Sequence, residues 1–126
     1  MVVKKMTLAW VTAKDLGKTK KFLTETLGLT VTSDSAEWGW LEVQGKEGGF
    51  NLGIAQESKE FESEKAGTNA VVTMTVDDLV KNKAELEAKG VRFIGEIMEV
   101  PGHVKLATFV DLDGNKFQLV EELDAK

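Results

Sequence analysis

The sequence predicts an α+β fold assembled from two βαβββ modules. Three observations carry this. Stretches of alternating apolar residues flank two helical stretches. Each helical stretch follows an Asp and stops at a Gly. The plan of the first half returns in the second.

Taken in order, residues 5–13, KMTLAWVTA, read as a strand. Asp15 is suited to cap a helix over residues 16–27, where Leu16, Leu23 and Leu27 share a face with Phe22 beside them. Gly28 ends it. Residues 29–33, 36–44 and 49–56 read as three strands, parted by SDS and GKEGG. Residues 57–67, ESKEFESEKAG, are charged and aperiodic, which suits a linker. Residues 69–76 open the second module as a strand. Asp78 caps a helix to about residue 89, Gly90 stops it, and VRFIGEIM, HVKLATFVD and KFQLVEE supply three more strands.

The repeat can be checked by position. Displaced by 63, Asp15, Leu16, Lys18, Lys20 and Leu23 fall on Asp78, Leu79, Lys81, Lys83 and Leu86. Displaced by 67, Val43, Phe50 and Leu52 fall on Val110, Phe117 and Leu119. Each half alone is too small to bury a comfortable core. The expected organisation is a single domain over 1–126, made of modules at about 1–56 and 68–126 joined by the charged linker 57–67.

Composition narrows the classes of function. The chain has 126 residues and a net charge of -5, with 42% hydrophobic and 29% charged residues, as in ordinary globular proteins. No basic stripe marks a nucleic-acid binder, and no stretch approaches a membrane span. The N-terminal MVVKKMTLAWV lacks a long apolar run and a cleavage site. Cysteine is absent, which excludes disulfides and thiolate metal sites and fits an expected cytoplasmic location.

Three stretches, VTAKDLGKTKKFLTETLGL (11–29), VDDLVKNKAELEAKGVRF (76–93) and FVDLDGNKFQLVE (109–121), together with the repeat, carry a resemblance over nearly the whole chain. The sequence resembles the vicinal oxygen chelate superfamily, which holds glyoxalase I, extradiol dioxygenases, fosfomycin-resistance enzymes and bleomycin-resistance proteins. The acid–acid–Gly–Asn turn before the final strand is the most specific match. The resemblance implies paired modules whose curved, mostly antiparallel sheets enclose a cleft. It does not choose a reaction.

Strand alternation then assigns faces. Leu52, Ile54, Phe117 and Leu119 should pack under the helices, which turns Asn51, Gln118 and Val120 to the cleft. The same parity directs Leu8, Trp10, Thr12, Trp38, Trp40 and Glu42 there, with Lys105, Ala107 and Phe109 as the repeat mates of the last three. Metal-dependent members of the superfamily place His, Glu or Gln at four cleft positions. Carried over by spacing, these fall on Leu8, Asn51, Val71 and Gln118. Leu and Val have no lone pair to give, and neutral carbonyls are weak ligands for a first-row metal. No metal and no cofactor are expected. The only histidine, His103, follows Pro101 and Gly102, and reads either as an exposed loop residue or as a ligand hydrogen bond or general base at the cleft mouth.

The sequence DLDGN at 111–115 raises a calcium-loop question, but its Gly follows Asp113 directly and strands flank it, so a hairpin turn is expected. GKT at 17–19 and GKEGG at 45–49 fail as phosphate loops, because Thr12 and Glu47 stand where Gly and Ser or Thr are required.

The expected function is a metal-independent small-molecule binder resembling the bleomycin-resistance, drug-sequestering branch, which links it to antibiotic resistance. Trp10, Trp38, Trp40 and Phe109 would stack on a ligand, with Glu42, Asn51, Gln118 and His103 as polar contacts. The ligand would be cationic or aromatic, and the branch implies a homodimer. The alternatives are a metal-dependent glyoxalase-type lyase or dioxygenase, a metal-free enzyme of the same fold using His103 or Glu42 as base, and a degenerate module whose cleft is filled by its own tryptophans and binds nothing. Whether the chain is an enzyme stays open at this point.

Overall fold

The computed structural model describes residues 8–58, 65–68 and 71–123. The chain forms two compact units, Met1–Asn69 and Ala70–Lys126. Most of the linker stretch, residues 59–64, lies outside the described residues.

The first unit runs β1 (Leu8–Ala13), α1 (Leu16–Lys21), β2 (Thr30–Ser35), β3 (Trp40–Gly45) and β4 (Gly48–Gln56). Its sheet has the order β1-β4-β3-β2, with β1 parallel to β4 and the other pairs antiparallel. The second unit repeats this with β5 (Val72–Thr75), α2 (Leu79–Ala88), β6 (Arg92–Val100), β7 (Val104–Val110) and β8 (Lys116–Glu122). Its order is β5-β8-β7-β6, with β5 parallel to β8. Both sheets are open and mixed, and the fold is α+β with the βαβββ plan used twice.

Each helix starts where an Asp can hold it. The Asp15 carboxylate accepts from the Lys18 amide at 3.1 Å, and Asp78 does the same for Lys81 at 3.1 Å. Both fill one of the orphan donors of a first turn. A second device was not visible in the sequence. The amide of Leu16 donates to Gln56 Oε1 at 2.9 Å, and that of Leu79 to Glu121 Oε1 at 2.8 Å. In each unit a side chain late in the last strand thus ties down the helix start. Helix α1 is shorter than the 16–27 expected and continues as a wider turn over Phe22–Thr26, closed by Leu27 N donating to Phe22 O at 3.1 Å. The Thr24 hydroxyl donates to the Lys20 carbonyl at 2.8 Å, and back-bonding of this kind loosens the helical ladder.

In the first unit α1 lies on β3 and β4, and Leu16 of the helix and Leu23 of the wider turn after it are buried, as are Val11, Leu41, Val43, Leu52 and Ile54 of the sheet. In the second, α2 lies on β7 and β8, above a core of Val72, Ala107, Phe109, Phe117 and Leu119. The Phe109 and Phe117 rings stack 5.5 Å apart, and Phe93 leans on Phe109 at 5.6 Å.

This corrects the facing expected for β7. Phe109 does not look away from the helix; it is fully buried beneath it, and Ala107 lies on the same side. The cause is the turn length. Val43 pairs with Leu52, and Ala107 pairs with Leu119. The last strands are therefore displaced by 67 but the third strands by only 64. A shift of three, being odd, moves every side chain of β7 to the other face.

Among the described residues, no helix is long and apolar enough to cross a membrane.

Candidate functional site

The face of the first sheet turned away from α1 carries an aromatic and polar group of side chains. The register sets Leu8 beside Asn51 and Trp10 beside Gly53 across β1 and β4. It sets Glu42 beside Gly53 and Trp40 beside Ala55 across β3 and β4. Alternation therefore brings Trp10, Trp40, Glu42 and Asn51 onto one surface, as the sequence predicts.

Gly53 is the residue that lets them meet. A Cβ built there would overlap the Trp40 ring and come within 3.1 Å of Trp10 Cβ. The Trp40 indole thus lies over bare backbone. Its ring centroid is 6.5 Å from that of Trp10, with the planes tilted by 58°. A tilted pair at this range is a favourable aromatic contact. Trp10 remains 38% exposed, so its ring still presents surface to a ligand. A glycine inside a strand marks close approach of another group, and NLGIA carries that signal at Gly53, although the sequence reading passes over it.

The Glu42 carboxylate stands between the other two polar groups. Trp40 Nε1 donates to its Oε2 at 2.8 Å, and Asn51 Nδ2 donates to its Oε1 at 2.8 Å. Charge-assisted bonds at this length are strong and orienting. They lock the plane of the Trp40 indole and the direction of the Asn51 carboxamide.

The remaining candidates lie elsewhere. Trp38 belongs to no strand: one 3₁₀ turn spans Ala36–Trp38, and Gly39, at φ 70°, restarts the chain before β3. Alternation therefore does not carry Trp38 to the side of Trp40, and it is 75% exposed. Phe109 is core. Gln118 lies on the corresponding face of the second sheet, where Thr73 Oγ1 donates to its Oε1 at 3.4 Å and its Nε2 donates to Thr108 Oγ1 at 3.5 Å. His103 is exposed in the turn before β7; its amide donates to Val100 O, and its carbonyl accepts from Leu123 N.

Strand register also moves one of the four positions carried over from metal-dependent relatives. The residue beside Gln118 is Thr73, where helix spacing pointed to Val71. Read by register, the four are Leu8, Asn51, Thr73 and Gln118. None offers an imidazole or carboxylate.

DLDGN forms a turn. Asp111 Oδ1 accepts from the amides of Asp113 and Asn115 at 2.9 Å each, and its Oδ2 accepts from Asn115 Nδ2 at 3.0 Å. Gly114 takes φ 84°. Burial pushes the Asp111 carboxyl above its ordinary value, and the bonds from Asn115 and Asp113 only partly oppose it.

The fold and the donor-poor, aromatic face define a class of protein, and comparison gives the family. The chain belongs to the Glyoxalase/Bleomycin resistance protein/Dioxygenase superfamily, whose family model matches residues 6–119. It is similar to TnmS3, an antibiotic binding protein from Streptomyces sp. CB03234, at 26% identity over 97% of this chain and 98% of that one, with a TM-score of 0.77. A member of the same superfamily from Sphaerobacter thermophilus DSM 20745 shares the fold at 22% identity, over 95% and 98% of the two chains, with a TM-score of 0.81. So does the fosfomycin resistance protein FosX from Listeria monocytogenes, complexed with Mn(II) and sulfate, at 19% identity over 96% and 92%, with a TM-score of 0.73. No curated protein matches the chain.

Proposed function

We propose that the protein is a metal-independent binder of small aromatic or cationic molecules, akin to the drug-sequestering branch of its superfamily. The observation that carries this is the Trp10–Trp40 pair seated over Gly53 and flanked by the Glu42 carboxylate. Indole faces attract both planar rings and cations. The donor set at the four carried-over positions supports binding without a metal. Likeness to an antibiotic binding protein points the same way. A homodimer and a cytoplasmic location belong to this reading, and gel filtration checks the first.

The test is tryptophan fluorescence titrated with cationic aromatic drugs such as ethidium. Saturable quenching is expected, and Trp40→Ala should lower the affinity at least about tenfold. Trp38→Ala, at an exposed turn, should leave stability within about 0.5 kcal/mol. A folded protein that quenches with none of the drugs overturns the proposal.

A further inference from the structure

Within that binding reading, we infer that Asn51 is held as a hydrogen-bond acceptor, so the preferred ligand is a planar aromatic carrying an N–H or O–H donor at its edge. The argument starts from Glu42. A carboxylate only accepts, so the Asn51 group facing it at 2.8 Å has to be the NH₂. The carboxamide oxygen is thereby turned the other way. Asn51 Oδ1 is buried from solvent and has no hydrogen-bond donor among the described residues. Buried acceptors are almost always satisfied, so this oxygen calls for a donor from outside the chain, which a ligand on this face can supply. Leu8, the register neighbour of Asn51, offers no side-chain donor.

The placement fits a stacked ring. Asn51 lies two residues along β4 from Gly53 and on the same face, about 7 Å away. A ring resting on the exposed part of Trp10 would lie on the same face of the sheet as Asn51. Glu42 then acts as a positioning residue. It holds Trp40 by one oxygen and the sense of the Asn51 carboxamide by the other.

The experiment is calorimetric titration of the full chain with 1-naphthol and 1-methoxynaphthalene. They share a ring system, but only naphthol has an O–H. The methyl ether is the more apolar, so hydrophobicity alone favours it. Naphthol is expected to bind about tenfold or more tightly, since a site left with an unpaired buried acceptor rejects the analogue lacking the donor. Asn51→Leu should bring the ratio to about one. Glu42→Gln frees the carboxamide to turn over, because a Gln at 42 can offer its own NH₂, and the preference should fall or invert. Thermal denaturation of both variants confirms folding, and the Glu42→Gln result stands if Asn51→Leu does not fold. Equal binding of the two probes by the wild type, or a preference that survives Asn51→Leu and Glu42→Gln, overturns the inference and leaves the binder intact. Binding of neither probe, together with no drug quenching, overturns both.

Discussion

At residue scale the site depends on a side chain that is missing. Gly53 has an ordinary strand conformation, so alanine there meets no backbone obstacle, and the conflict is only with the Trp40 ring. Trp40 cannot yield freely, because its Nε1 is held by Glu42 and its neighbour Trp10 blocks one side. Gly53→Ala is therefore expected to destabilise the chain by about 1–3 kcal/mol, as overpacking does, and to shift the tryptophan emission. Urea denaturation followed by fluorescence checks both, and an unchanged spectrum with unchanged stability would refute this packing. The members of the aromatic pair could be read from period-two alternation around Trp10 and Trp40. Trp38 could not be read this way, because Gly39 breaks the alternation between two tryptophans that look equivalent in the sequence.

At the scale of elements, what sequence reasoning captured was local and what it missed was relative. Asp15 and Asp78 are legible as caps because a cap is a matter of a few adjacent residues. The face of β7 was not legible, since it depends on how many residues the β7–β8 turn contains compared with the β3–β4 turn. That turn is built on Asp111, whose carboxylate organises three donors while burial raises its proton affinity. The folded chain keeps the Asp111 proton to higher pH than the unfolded chain does. The stability this group contributes is thus full below the ordinary Asp value of 3.8 and is lost as pH rises through the raised value. Asp111→Asn keeps an acceptor for the two amides and removes the titration. Measured by urea denaturation from about pH 4 to pH 8, the wild type should lose stability relative to Asp111→Asn as pH rises. The opposite slope would mean that the hydrogen bonds, and not burial, govern this carboxyl.

Over the whole molecule the two units share a plan but not a surface chemistry. The plan was legible because helix caps and last strands repeat at nearly constant displacements. The faces turned from the helices have diverged. The first presents Trp10, Trp40, Glu42 and Asn51, whereas the second presents Thr73, Leu106, Thr108, Gln118 and Val120. A divalent metal of the first row needs several imidazole or carboxylate ligands. One histidine in the chain cannot supply a pair of them, and the Glu42 carboxylate is already held by two donors. Among the described residues no three His, Asp or Glu side chains gather as a metal site would require. Exposure to zinc, nickel, manganese, cobalt and ferrous iron, followed by exhaustive buffer exchange, should therefore leave well under one ion per chain by elemental analysis. Near-stoichiometric retention of any of them would overturn metal independence. It would return the protein to the lyases and dioxygenases of its superfamily and make Glu42 the first residue to test as a ligand.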